Sequence, residues 1–124
     1  KDTRIVTTIK ETFVLARDKS PKIIIAGSGM MNGGRVLYYL ENHLKNPAAT
    51  FVLPGFQAVG TRGRMLSEGS HEIKLHGKYH EVRATVEHIK TMSSHADQAE
   101  LLSWMSGIKQ KPEKIFIVHG EPQS

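Results

Sequence analysis

A run of apolar, mostly β-branched residues, Lys22-Ile23-Ile24-Ile25-Ala26, enters a glycine-rich turn, Gly27-Ser28-Gly29-Met30-Met31-Asn32-Gly33-Gly34-Arg35, and the chain leaves that turn as an amphipathic helix. The run shows no alternation, as expected of a parallel strand covered on both faces. Val36, Leu37, Leu40 and Leu44 then recur at helical spacing as an inward stripe, and Asn46-Pro47 stops the helix. Thr50-Phe51-Val52-Leu53 reads as the next parallel strand. Together these elements make a βαβ unit, so the predicted fold is α/β with a parallel, Rossmann-like portion.

Around this unit the pattern changes. Ahead of it, Thr8-x-x-Glu11 is a capping box for a helix that carries Ile9, Phe13 and Ala16 on one face and ends near Asp18, before Ser20-Pro21. Behind it, a second glycine-rich turn from Gly55 to Gly63 carries Arg62, with Arg64 just beyond. Ile73 and Leu75, then Val82, Ala84 and Val86, alternate with polar neighbours about a turn at Gly77-Lys78, which predicts a hairpin with one wet face. A helix from about Asp97 to Gly107 turns Leu101, Leu102, Met105 and Ile108 inward and is closed by Lys111-Pro112. Ile115 to Val118 reads as a last buried strand that delivers His119-Gly120-Glu121 at its carboxyl end.

At 124 residues the chain is one domain by size. It opens on Lys1 and stops soon after its last strand, so an incomplete piece of a larger fold is expected. The absence of cysteine excludes disulfides, thiolate zinc sites and cysteine nucleophiles, and favours a cytoplasmic setting. No run approaches the ~18 apolar residues of a membrane span. Seventeen Lys and Arg against twelve Asp and Glu give a net charge of +5, which permits a polyanionic partner without requiring one.

Three places could carry chemistry. The Gly27 to Arg35 loop opens a helix, and its glycines either bring backbone N–H groups up to a phosphate or serve tight packing; the spacing fits both. It is neither a Walker loop nor a GxGxxG fingerprint. His95 lies between an apolar strand-like run and a helix, where side chains beyond a strand end meet ligands. Yet Ser94-x-x-Asp97 is also a capping box, and on spacing alone that reading comes first. His119 should emerge at the same sheet edge. Zinc takes three or four protein ligands in a structural site and usually three in a catalytic one, and the chain has no HxH, HExxH or HxHxDH motif. His71, His76, His80 and His88 lie on or near the hairpin, where exposed histidines are common.

Taken in order, four motifs narrow the field: Ile23 to Met30 with Gly33-Gly34-Arg35, Gly60-Thr61-x-Gly63-Arg64, Ser94-His95-Ala96-Asp97 and Val118-His119-Gly120-Glu121. Together they resemble the C-terminal part of the β-CASP metallo-β-lactamase-fold ribonucleases, a family that includes ribonuclease J and the endonuclease of the eukaryotic pre-mRNA cleavage complex. The resemblance covers nearly the whole chain and moves His95 from cap to chemistry. It implies that residues 1–69 are the later half of a β-CASP domain. Residues 70–124 would then be the return segment, hairpin, helix and strand, of the metallo-β-lactamase core that carries RNA specificity. His95 matches the motif B histidine, which binds the scissile phosphate or gives a proton to the leaving oxygen. His119 matches motif C, a ligand to one of two zinc ions; DNA-processing relatives such as Artemis typically have valine there, so histidine argues for RNA. Asp97 and Glu121 match acidic residues that orient these imidazoles. Ser28, Gly29, Asn32, Gly33, Gly34, Arg35, Arg64 and Ser94 would line the RNA cleft.

The resemblance also marks what is not here. The HxHxDH loop, a further histidine, the bridging aspartate and acidic motif A lie in sequence N-terminal to Lys1, and the helix that follows motif C is missing. Arg62 stands where relatives often carry an apolar residue. The parent implied is a zinc-dependent RNA-processing phosphodiesterase, endonuclease or 5′-exonuclease, which needs its N-terminal core in cis and could be a homodimer. The chain alone would hold at most part of a zinc site and cleave nothing. The competing reading is a non-catalytic RNA- or nucleotide-binding α/β module whose histidines are bystanders; a third is a purely structural or oligomerising piece.

Overall fold

The computed structural model describes residues 3–89, 91–92 and 95–118. By packing, the chain falls into two units, residues 1–93 and 94–124.

The first unit begins with α1 (Ile9–Arg17), whose capping box forms as its sequence prescribes. The Thr8 hydroxyl accepts the Glu11 N–H at 3.2 Å, and the Glu11 carboxylate accepts the Thr8 N–H at 3.1 Å. Of the expected face, only Ala16 is buried. Thr12 and Ala16 are buried, whereas Ile9 and Phe13 are 57% and 39% exposed. α1 packs on α2 (Val36–His43), and small residues at such a contact let two helices approach closely.

The expected stripe of α2 does form. Val36, Leu40 and Leu44 join Met31, Leu53, Leu66, Ile73 and Leu75 in one buried cluster, with Leu37, Ala26, Phe51, Val82 and Val86 packed against it. Among these, Leu40, Leu44, Leu53, Ile73 and Leu75 have no exposed surface.

The sheet is parallel, as expected, but with a different partner. β1 (Thr50–Pro54) pairs with β4 (Thr85–Ile89) in the register Thr50↔Thr85 to Pro54↔Ile89, and Gly55 N–H extends the ladder to Ile89 O at 2.9 Å. Residues 22–26 form no ladder among the described residues. Ile24 and Ala26 are half-buried while Ile23 and Ile25 are 95% and 98% exposed, so only one side of that segment is covered. An unbroken apolar run cannot reveal which strand, if any, lies beside it.

The hairpin is also shorter than its alternation suggests. It consists of β2 (Glu72–Leu75) and β3 (Lys78–Glu81), joined by His76 and Gly77 with φ of +47° and +83°. Two successive positive φ values make the turn that best matches strand twist. Val82 and Ala84 lie past its end because the carbonyl of Leu44, the C-cap of α2, accepts both Arg83 N–H at 2.8 Å and Ala84 N–H at 2.9 Å. That pair of hydrogen bonds swings the chain out of the hairpin and into β4, which carries Val86.

The stretch read as a turn to Gly63 ends two residues sooner, at α3 (Arg62–Ser67). The Thr61 hydroxyl caps α3 by accepting the Arg64 N–H at 3.2 Å.

In the second unit α4 (Gln98–Ser106) has nearly the expected bounds. Its N-cap is Asp97 rather than Ser94: the Asp97 carboxylate accepts the Glu100 N–H at 2.8 Å, and the Glu100 carboxylate accepts the Asp97 N–H at 2.9 Å. The stripe expected to face inward is exposed, Leu101 by 52%, Leu102 by 59% and Ile108 by 43%. Residues 115–118 form no strand and are 59–87% exposed. One helix and one apolar run are too little to bury each other's surface. No helix among the described residues is long and apolar enough to cross a membrane.

Candidate nucleic-acid interface

The two glycine-rich stretches meet. In the first loop Met31 N–H donates to Ser28 O at 3.0 Å and Val36 N–H to Gly27 O at 3.2 Å, folding the turn back on the start of α2. Gly34 has φ +76°, and a Cβ there would lie 2.9 Å from Gly27 O, so only glycine serves. Gly27, Gly29 and Gly33 differ: a Cβ on any of them would meet nothing within 4 Å. Packing therefore does not account for these three.

The start of α3 docks against that loop. Gly63 N–H donates to Met30 O at 3.1 Å, and Arg62 N–H donates to Asn32 Oδ1 at 3.1 Å. Gly63 is at the tightest point, because a Cβ on it would stand 1.7 Å from Gln57 Oε1. Gln57 is 2% exposed, and neither of its amide atoms has a partner among the described residues.

The arginines divide their work. Arg62, the departure from the resembled family, donates from Nε to Lys74 O at 2.7 Å and from Nη1 to Asn32 O at 3.3 Å, and so ties the glycine loop to the hairpin. Arg35 donates to the carbonyls of Val6 and Thr7, the latter at 2.5 Å. Arg64 pairs through Nε with Glu68 at 2.6 Å, one helical turn on. Ser28, Gly29, Asn32 and Gly34 are exposed, and Gly33 is half-buried.

The histidines fall into distinct settings. His95 is exposed, just ahead of the Asp97 cap. His119, Glu121 and Ser94 lie outside the described residues. His80 and His88 are half-buried rather than exposed, since the strands pack there. A ring nitrogen of His88 is 2.7 Å from Gly55 O, and Nε2 of His80 is buried with no partner among the described residues. His76 stacks on Tyr38 with centroids 5.9 Å apart. No group of three or more His, Cys, Asp or Glu side chains among the described residues could hold a metal. By themselves these residues do not fit a zinc centre. The seam built by Arg62, Gly63 and Gln57 was not foreseen; the cluster Gly60 to Arg64 was its one visible trace.

Residues 1–66 match the family model of the Beta-Casp domain, and residues 79–124 match that of the Zn-dependent metallo-hydrolase RNA specificity domain. The transcription termination factor FttA of Pyrococcus abyssi is 34% identical over 123 residues, 95% of this chain and 19% of that protein. Ribonuclease TTHA0252 of Thermus thermophilus is 32% identical over 119 residues, 96% of this chain and 27% of its own length. An RNase J-like protein of Methanocaldococcus jannaschii is 42% identical over 107 residues, 86% of this chain and 25% of its own. The chain thus spans about a fifth to a quarter of these relatives.

Proposed function

Because this chain belongs to the β-CASP family, we propose that it is the part of a zinc-dependent, cytoplasmic RNA-cleaving hydrolase that grips the RNA and presents the motif B and C histidines. One observation carries the RNA-binding half of this reading. Gly29 and Gly33 have open space where a side chain would be, on a loop that opens α2. Their backbones can be approached closely by an anion, and a helix start favours negative charge. Ser28 and Asn32 lie exposed on the same loop, and Arg64, proposed with them, belongs to α3, whose start docks against that loop. Arg35 would serve mainly by holding residues 6–7 against the loop, and Gly34 by shaping it.

The match of residues 79–124 to an RNA specificity domain supports assigning His95 and His119 to cleavage. In this reading residues 1–69 are β-CASP and residues 70–124 return to the catalytic core. His95 sits beside the scissile phosphate and gives a proton to the leaving oxygen. Asp97 is held by its bond to Glu100 N–H and biases the imidazole's orientation. His119, oriented by Glu121, is one zinc ligand whose companions come from elsewhere in the parent. The net charge of +5 also fits a second reading, a non-catalytic RNA-binding module.

A single experiment separates the two. In the complete parent, on a labelled RNA with added zinc, His95→Ala should lose cleavage at least a hundredfold with zinc content intact, within the range of general acid catalysis. His119→Ala should lose both cleavage and zinc. If both variants cleave as the parent does, the histidines are bystanders and the binding-module reading stands.

A further inference from the structure

We infer that the outer face of the β2–β3 hairpin is a stacking exosite for single-stranded RNA, with Tyr79 as its platform and Lys74 as its phosphate contact. This rests on the proposal that the glycine loop grips RNA, and it adds where the strand goes next.

Lys74 and Tyr79 face each other across the hairpin on the side opposite the buried Ile73 and Leu75. Tyr79 is 65% exposed, and Lys74 Nζ stands 5.6 Å from the centre of its ring. An exposed aromatic ring with a cation beside it gives a base a π-face and a phosphate a counter-charge, the two contacts that single-strand binders combine. A solvated lysine needs no such ring, and a core tyrosine would not be exposed.

The hairpin also adjoins the candidate RNA loop. The Arg62 guanidinium reaches Lys74 O at 2.7 Å and Asn32 O at 3.3 Å, so one planar group spans the gap between hairpin and loop. A strand leaving the loop at Asn32 meets Lys74 next. The acidic neighbours do not cancel the attraction. Glu81 is paired with Arg83 at 2.9 Å, which leaves Glu72 opposed by Lys74 and the partly exposed Arg62. An acidic polymer with unstacked bases fits this face better than an acidic peptide does, because only the former uses the ring.

Fluorescently labelled oligouridylates of about six and about twelve nucleotides, bracketing common single-strand site sizes, test the exosite by anisotropy on this chain. The longer oligomer should bind more tightly than the shorter. Tyr79→Ala should remove most of that advantage, about tenfold, while Tyr79→Phe keeps it. Lys74→Ala should reduce the salt dependence of the longer oligomer by about one phosphate contact. Tyr79 is exposed, so its substitution leaves the core intact, and circular dichroism verifies this. If the unaltered chain binds RNA and neither Tyr79→Ala nor Lys74→Ala changes the length advantage, the exosite is wrong while the loop reading survives. If the unaltered chain binds neither oligomer, both fall.

Discussion

Of the described glycines, Gly63 leaves the least room for a side chain, and Gln57 fills that room. The Gln57 amide is enclosed, and the α-carbon of Gly63 is what leaves room for it. In Gly63→Ala the side chain of Gln57 would have to move, and being buried it has nowhere to swing without opening the seam to Met30. We expect a loss of about 1–3 kcal/mol, the usual range for overpacking, read from the urea midpoint. An unchanged midpoint would mean that the seam is looser than its geometry indicates. The glycine at 63 was visible in the sequence, but the reason for it was not, because Gln57 and Met30 come from two other loops.

At the level of elements, α1 is stabilised by charge as well as by its cap. The Arg4 guanidinium, 2.9 Å from Glu11, together with the N–H and hydroxyl of Thr8 and the N–H of Thr7, lowers the Glu11 pKa to about 2. Asp18, which accepts from the N–H and hydroxyl of Ser20 and pairs with Lys22, is likewise held at about 2. Both carboxyls bind protons more weakly when folded than when unfolded. Their stabilising effect is therefore complete above the unfolded values near 4.5 and 3.8 and disappears as pH falls towards 2. Glu11→Gln should lower stability at neutral pH and reduce its decline between about pH 4.5 and 2, measured by denaturant titration at each pH. An identical pH profile would remove Glu11 from the account. Thr8→Ala should cost about 1 kcal/mol, as lost N-caps do. These local features were legible: both ends of α1, the stripe of α2 and the bounds of α4 follow from residues within a few positions of one another. The exposed Ile9 and Phe13 were not, because helical spacing identifies a face without saying what small residues on the next face let a neighbour approach.

Across the whole molecule, the parallel sheet was foreseen in kind and mistaken in membership. Both runs that failed to become strands, 22–26 and 115–118, were read from apolar content, which reports a wish for burial and not a partner. β4 was hidden because Val86 alternates with polar residues as a hairpin strand would. At the candidate site, the glycine loop and the four motifs were readable, whereas Arg62 could be noticed only as an oddity. Its function appears once Asn32 and Lys74, thirty positions before it and twelve after it, are seen on the same guanidinium. Arg62→Leu should loosen both attachments at once. The measurable result is faster amide exchange in the glycine loop and at the hairpin together, with α1 unchanged; faster exchange at only one of them would show that the two are not coupled.

The pairing of Thr50 with Thr85 has a kinetic consequence. The crossover between them, α3 and the hairpin included, must be closed as one long loop before the first rung of the β1–β4 ladder can form. Closing so long a loop is paid in chain entropy before any contact repays it. The amides of β4 should therefore gain protection in a late step common to the whole unit, well after α1 and α2 have begun to form their turns.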